Sequence, residues 1–319
     1  MGNHFSRRLL VAALVAAAFL PACASRSASS GKEPAAGKSA QKSSPPLDLA
    51  FMTFNIRFDN PADGENVWSL RRSMVVDLIR QQHTDFVGLQ EALRSQLDDI
   101  GPPAPYGQLG VGRSDGRDGG EFSAILYRKD RFDVNETGTF WLSPTPEVPG
   151  STGWGNNVTR ICTWGEFTDR ITGRRFYVFN THLDHESQQA RARGVELIAR
   201  RIAMRSRPEP VVLMGDLNAG EDNPAVLYLT GKAPRASEPG SSVEASPAMA
   251  DTFRILHPSA TSSGTFNGWT GDTSGPKIDY ILALPANGVE VLEASILHDS
   301  RNGKYPSDHY PVTARLRLR

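Results

Sequence analysis

Short apolar runs punctuate the chain, and most of them begin or end on a polar side chain. Leu49 to Arg57 is largely apolar with an amide, Asn55, near its exit, the pattern of a strand buried on both faces. Phe86 to Leu89 runs into Gln90-Glu91, and Glu121 opens the run Phe122 to Tyr127. Arg160 precedes Ile161 to Phe167, while Arg175 to Phe179 continues into Asn180-Thr181-His182-Leu183-Asp184-His185. Pro210 to Met214 runs into Gly215-Asp216-Leu217-Asn218. Lys277 to Leu282 carries Asp279, and Ser307-Asp308-His309 leads into the last run, Val312 to Leu318. Between these strands, Leu70, Met74, Val75, Leu78 and Ile79 recur at helical spacing behind Ser69, a candidate cap. Val195, Ile198 and Ile202 mark a second helix with arginines on its wet side. The stretch from Gly231 to Met249, rich in Pro, Ser and Ala, predicts a surface excursion. Strands dominate, helices intervene, and both sheet faces are expected to be buried.

The ends set the boundaries. Arg7 and Arg8 precede the apolar run Leu9 to Leu20, too short to span a bilayer, so residues 1–23 read as an export signal. Leu20-Pro21-Ala22-Cys23 resembles a bacterial lipobox, which makes a lipid on Cys23 the expected membrane attachment; conventional cleavage near Ala24 is the alternative. Ala24 to Pro46 is too polar to bury a core and reads as a tether. The fold is expected over 47–319, as a monomer. With Cys23 committed to lipid, Cys162 has no partner for a disulfide and reads as a small buried apolar residue. The whole chain is formally neutral, with 35 basic and 35 acidic residues; removing the six basic and one acidic residues of the first 46 leaves 29 basic and 34 acidic. A folded part at −5 disfavours a general nucleic-acid binder, which needs a basic face to displace counterions.

Asn55, Glu91, Glu121, Asn180, His182, Asp216, Asn218, Asp279, Asp308 and His309 all stand at or near strand ends. Carboxylates and amides without cysteine pairs or closely spaced histidines suit a hard cation bound through oxygen: Mg2+ is expected, with Mn2+ able to replace it. Arg160 offers a charge-assisted hydrogen bond to a phosphate. Six ordered blocks carry a resemblance: Thr53-Phe54-Asn55-Ile56-Arg57, Gln90-Glu91, Asn180-Thr181-His182-Leu183-Asp184, Gly215-Asp216-Leu217-Asn218, Ile278-Asp279-Tyr280 and Ser307-Asp308-His309-Tyr310-Pro311-Val312. Together they resemble the endonuclease/exonuclease/phosphatase superfamily, whose fold is that of deoxyribonuclease I. The resemblance implies an α/β (α+β) four-layer sandwich, two packed, mostly antiparallel sheets flanked by helices. It implies Glu91, Asn55 and Asp308 as metal ligands, and His309 as the base that takes a proton from the attacking water. Asp216 and Asn218 would position that water and the phosphoryl oxygens, and His182, partnered by Glu121, would support the leaving side. Adjacent strand residues point to opposite faces, so Asp279, not Asp308, is the expected partner of His309.

Segments outside those blocks resemble an exported bacterial branch of the superfamily: Asp59 to Arg72, Asp184-His185 and Phe266-Asn267-Gly268-Trp269. On that ground Arg71, His185 and Trp269 are expected, with Arg160 and Asn180, to line the substrate cleft. The resulting expectation is a phosphodiesterase acting on an extracytoplasmic sugar phosphodiester, phospholipid head group or nucleotide. A secreted nuclease is the rival enzyme, and a surface binding lipoprotein without catalysis the rival from another class.

Overall fold

The computed structural model describes residues 46–101, 106–232 and 246–319. The export signal, nearly all of the tether and much of the Gly231–Met249 excursion lie outside those residues. The strands are β1 (Leu47–Asn55), β2 (Phe86–Ala92), β3 (Tyr106–Leu109), β4 (Phe122–Arg128), β5 (Phe132–Trp141) and β6 (Ile161–Asp169). They continue with β7 (Arg175–His182), β8 (Val211–Asp216), β9 (Ala250–Asp251), β10 (Asp279–Leu284), β11 (Val289–Ile296) and β12 (Val312–Leu318). The helices are α1 (Trp68–Gln81), α2 (Arg94–Ile100), α3 (Gln188–Ala203), α4 (Pro224–Leu229) and α5 (Thr252–Leu256). Two six-stranded sheets result, ordered β11-β12-β1-β2-β4-β3 and β5-β6-β7-β8-β10-β9. Each is antiparallel apart from one parallel pair near its centre, β1 with β2 and β7 with β8.

Strand periodicity explains the layers. In β1, Leu47, Leu49 and Phe51 turn into a core shared with Phe86, Phe167, Phe176, Val212 and Ile281, which lies between the sheets. Met52 and Phe54, on the other face, pack under α1 and α2 with Val75, Leu78, Ile79 and Leu97. The outer face of the second sheet is covered by α3 and α4, through Val195, Ile198, Ile202 and Val226. Helix, sheet, sheet, helix is therefore the order of layers, an α/β sandwich with two mixed sheets and few helices. Helix α1 begins one residue before Ser69, with Val67 at its N-cap and no side-chain cap, so Ser69 is not the cap its position predicts. Ser187 does cap α3, accepting from Ala190 N at 3.1 Å.

Close approach of the two sheets demands small or matched groups. An added Cβ on Gly88 would meet Asn180 Oδ1 at 2.8 Å. Asn180 is fully buried and spans the seam: its Nδ2 donates to Leu89 O at 2.9 Å and Ala124 O at 2.7 Å, and its Oδ1 accepts from Gln90 Nε2 at 2.7 Å. The strand ends on either side of that seam converge at one edge.

Candidate active site

That edge carries the exits of β1, β2, β7 and β8 and the starts of β10 and β12, because β10 runs antiparallel to β8 and β12 to β1. Asp279 pairs directly with Asp216 across the ladder, and His182 with Asp216 on the other side. A cleft of about 570 Å³ opens there, lined by Glu91, Arg160, His182, Asp216, Asn218, Asp308 and His309 among others. Three lining residues that are not glycine hold a left-handed backbone: Arg57 (φ 54°), Glu91 (φ 62°) and Asn218 (φ 45°). Strain of that kind persists only where the surroundings enforce it, and it gathers at functional sites.

The proton-handling side is built from the second sheet and the loop before β12. His309 Nδ1 meets Asp279 Oδ2 at 3.0 Å, which leaves Nε2 facing Asp216 Oδ2 at 3.8 Å. Burial works against a proton on His309, but Asp279 and then Asp216 outweigh it and raise the imidazole to about 10. Burial first, and Asp279 second, raise Asp216 to about 7. Asn218 N donates to Asp216 Oδ1 at 2.8 Å, and its Nδ2 meets His182 Nε2 at 2.9 Å, which assigns the His182 proton to Nδ1. Burial, then Arg160 and Arg113, hold His182 well below the ordinary histidine range, so it stands neutral. Glu121 is not its partner: both Glu121 oxygens accept from Arg113, at 2.7 and 2.6 Å.

The acidic side comes from the first sheet. Glu91 accepts from Phe58 N at 3.2 Å and Asn55 Nδ2 at 3.1 Å, and lies 3.9 Å from the Arg57 guanidinium. Asp308 is 4.0 Å from that same guanidinium, and burial, opposed by His309 and reinforced by Glu91, raises its carboxyl. Two mutually repelling carboxylates in one wall are an oxygen donor set that fits a hard cation. Asn55 departs from its expected role. Its oxygen is taken by Arg57 N at 3.0 Å, and its amide hydrogens reach Glu91 and, at 2.9 Å, Asp216. It therefore orients two carboxylates across the seam, with its own oxygen bonded to the Arg57 backbone. Among the described residues, Asp216, Asp279 and His309 also bring ligand atoms within 4.8 Å of one another and could hold a metal ion.

The basic wall centres on Arg160, 4% exposed. Its Nη2 meets His185 Nδ1 at 2.8 Å, whereas Nε and Nη1 find no hydrogen-bond acceptor; Asp184 Oδ2, at 3.6 Å from Nε, is too far. His185 lines the cleft beside it. Three residues expected at the substrate are not among those lining the cleft. Asn180 is the seam bridge described above. Arg71 is 2% exposed and gives its N–H groups to backbone carbonyls, and Trp269 stacks against it with 5.4 Å from the guanidinium to the ring centre. Phe266, from the segment Phe266–Trp269, does line the cleft; Arg57, Phe58 and Arg113 line it without having been singled out for it. The glycine-rich segment 107–120 holds two arginines, Arg113 and Arg117, with nothing in its pattern to choose between them; Arg57 is the last residue of the first motif.

Two packed mixed sheets with this polar edge define a sandwich of the deoxyribonuclease I type. The chain belongs to the Endonuclease/Exonuclease/phosphatase family, whose model matches residues 52–309. Members of this family are divalent-metal-dependent hydrolases of phosphate esters. An endonuclease/exonuclease/phosphatase family protein of Bacteroides thetaiotaomicron superposes with a TM-score of 0.76 at 31% identity, covering 86% of this chain and 99% of that one. The mannosyl-6-phosphatase of the same species gives a TM-score of 0.72 at 31% identity, covering 84% and 99%. An uncharacterized protein of Acanthamoeba polyphaga mimivirus is 28% identical over 171 residues, and the chain spans 60% of that curated relative's length.

Proposed function

We propose that this protein hydrolyses the phosphate ester of a small, polyhydroxylated alcohol of the sugar-phosphate kind, with Mg2+ or Mn2+ held by Glu91 and Asp308. The observation that carries the proposal is Arg160: a guanidinium that lines the cleft while almost wholly buried, bonded at Nη2 to His185 and, among the described residues, opposed in charge only by Asp184 at 3.6 Å. Buried donors of this kind call for an anion, and a phosphoryl group accepts from a guanidinium through two oxygens at once. The Glu91–Asp308 wall is favoured for the cation over the Asp216–Asp279–His309 group because His309 Nδ1 is already bound to Asp279 and the ring is held protonated, which makes it a poor ligand. When bound, the cation compensates the charge of the phosphoryl oxygens and polarises the ester. Compensation of Asp308 also removes one of the carboxylates that keep a proton on His309.

The chain's own residues then divide the work. Arg160 and the neighbouring Arg113 draw in and orient the phosphoryl group. Asp216 and His309, 3.8 Å apart, act as one titrating pair that takes the proton of the attacking water, while Asp279 fixes the imidazole. Neutral His182, held by Asn218, lines the cleft without adding charge. A cleft of about 570 Å³ is of small-molecule size, and its rim of Phe58, Val158, Phe266 and Asp272 suits a sugar ring better than a duplex. We read the substrate as a phosphomonoester where the motifs led to the expectation of a diester, a reading supported by the mannosyl-6-phosphatase. Metal-stripped protein should be inactive and recover with Mn2+ on hexose monophosphates ahead of diesters, and Asp279→Asn should lower kcat by roughly 10²- to 10⁴-fold. Turnover of polynucleotides with a steep salt dependence, and none on sugar phosphates, would replace this reading with a nuclease.

A further inference from the structure

Arg71 is an unusual cation. It is 2% exposed, yet among the described residues it forms no ion pair, and its hydrogen bonds there all go to backbone carbonyls. Nε donates to Asn66 O at 2.9 Å, Nη1 to Ile56 O and to Pro306 O at 3.1 Å, and Nη2 to Arg57 O at 2.6 Å and Phe58 O at 3.4 Å. Trp68 and Trp269 stand over the guanidinium, with ring centres at 5.1 and 5.4 Å. Desolvating a cation is costly, and burial depresses even this guanidinium, to about 10. The carbonyls it gathers belong to two segments that are remote in sequence: the exit of β1, which presents Arg57 and Phe58 to Glu91, and Pro306, which precedes Ser307-Asp308. Ser307 Oγ donates to Asn55 O at 2.7 Å, and Asn267 and Gly268 N–H groups bind Asp308 O at 2.7 and 3.2 Å, so the same loops are stitched again on the far side.

We infer that Arg71 is the positioning residue of the acidic wall: its planar fork sets the spacing between the Glu91 and Asp308 backbones, and through it the affinity for the divalent cation. This rests on the metal-dependent reading above. Lysine keeps the charge and loses the fork, so Arg71→Lys isolates geometry from electrostatics. Titrating the purified, metal-stripped protein with Mn2+ in a calorimeter, below the unfolding temperature of each form, should show Arg71→Lys binding on the order of 10- to 100-fold more weakly, the size typical when a group behind a metal ligand is lost. A purely structural role would lower the melting temperature and leave the Mn2+ dissociation constant alone, and that result overturns the inference. Should Arg71→Lys not fold, Arg71→Gln decides, since its neutral amide buries no charge and has too few N–H groups to bind the five carbonyls of Asn66, Ile56, Pro306, Arg57 and Phe58: several-fold weaker Mn2+ binding supports the role, and wild-type affinity overturns it. Wild-type protein that binds no Mn2+ overturns the metal site itself, whereas equal binding by wild type and variant overturns only the part given to Arg71.

Discussion

His182 shows how position decides charge at the scale of one residue. The same imidazole type stands neutral at the end of β7 and protonated before β12, because Arg160 and Arg113 face the first while Asp279 and Asp216 face the second. The sign of the consequence follows. The folded His182 refuses a proton that the unfolded chain accepts near 6.5, so its contribution to stability is present above that pH and lost as pH falls. In metal-free protein, urea unfolding between about pH 5 and about pH 7 should show the advantage of wild type over His182→Asn shrinking by about 1.4 kcal/mol per pH unit on the acid side. A pH-independent difference would mean that His182 binds its proton equally well in the folded and unfolded chain. Motif position was enough to gather His182, Asp216, Asn218, Asp279 and His309. It could not reveal that Asn55 offers hydrogens where an oxygen was expected, since which end of an amide faces a neighbour depends on contacts from other strands.

At the scale of the element, legibility followed burial. Strands β1 and β8 stand inside their sheets and are largely buried, while β12 alternates between core and open positions, and the runs of all three were plain in the sequence. The long strand β5 and the strand β11 were not, because each is an edge whose residues alternate irregularly between core and water. Arg71 misled for a related reason: an arginine beside polar loops looks like a ligand-binding group until its carbonyl partners, separated by some 235 positions in the case of Pro306, are brought together by folding. Gly215 is the element-scale test of how the site is held. Its φ is 151°, and an added Cβ would lie 2.1 Å from Thr181 O on the neighbouring β7. Gly215→Ala should therefore cost at least about 2 kcal/mol in urea unfolding and depress kcat, because β8 must shift and carry Asp216 with it. Unchanged stability would show that the β7–β8 approach is slack.

For the whole molecule, the site is an electrostatic joint between two sheets. Glu91 and Asp308 repel across the acidic wall, and the folded part carries an excess of acidic residues, so a bound divalent cation should stabilise the entire sandwich. At a hundredfold excess over the dissociation constant the gain is about 2.7 kcal/mol, and it should appear as a rise in melting temperature with Mn2+ that is reversed by chelation and absent in Glu91→Gln. The four layers followed from the family resemblance that the ordered motifs carry, and the edge location of the cleft from polar residues gathered at strand ends. Of the basic wall, Arg160 and His185 were legible and Arg113 was not, because it comes from a glycine-rich loop without periodicity.

The single parallel pair in each sheet has a further meaning for how this site can change. Parallel neighbours need a crossover, so β1–α1–β2 and β7–α3–β8 are each one uninterrupted stretch of chain, 47–92 and 175–216. The first delivers Asn55 and Glu91, the second His182 and Asp216, each pair already in register with itself. The intervals between and after them, 93–174 and 217–278, supply Arg113, Arg160, Phe266 and Asp272 to the cleft rim. Insertions and substitutions there can remodel which alcohol is admitted while both inherited halves of the chemistry keep their internal spacing.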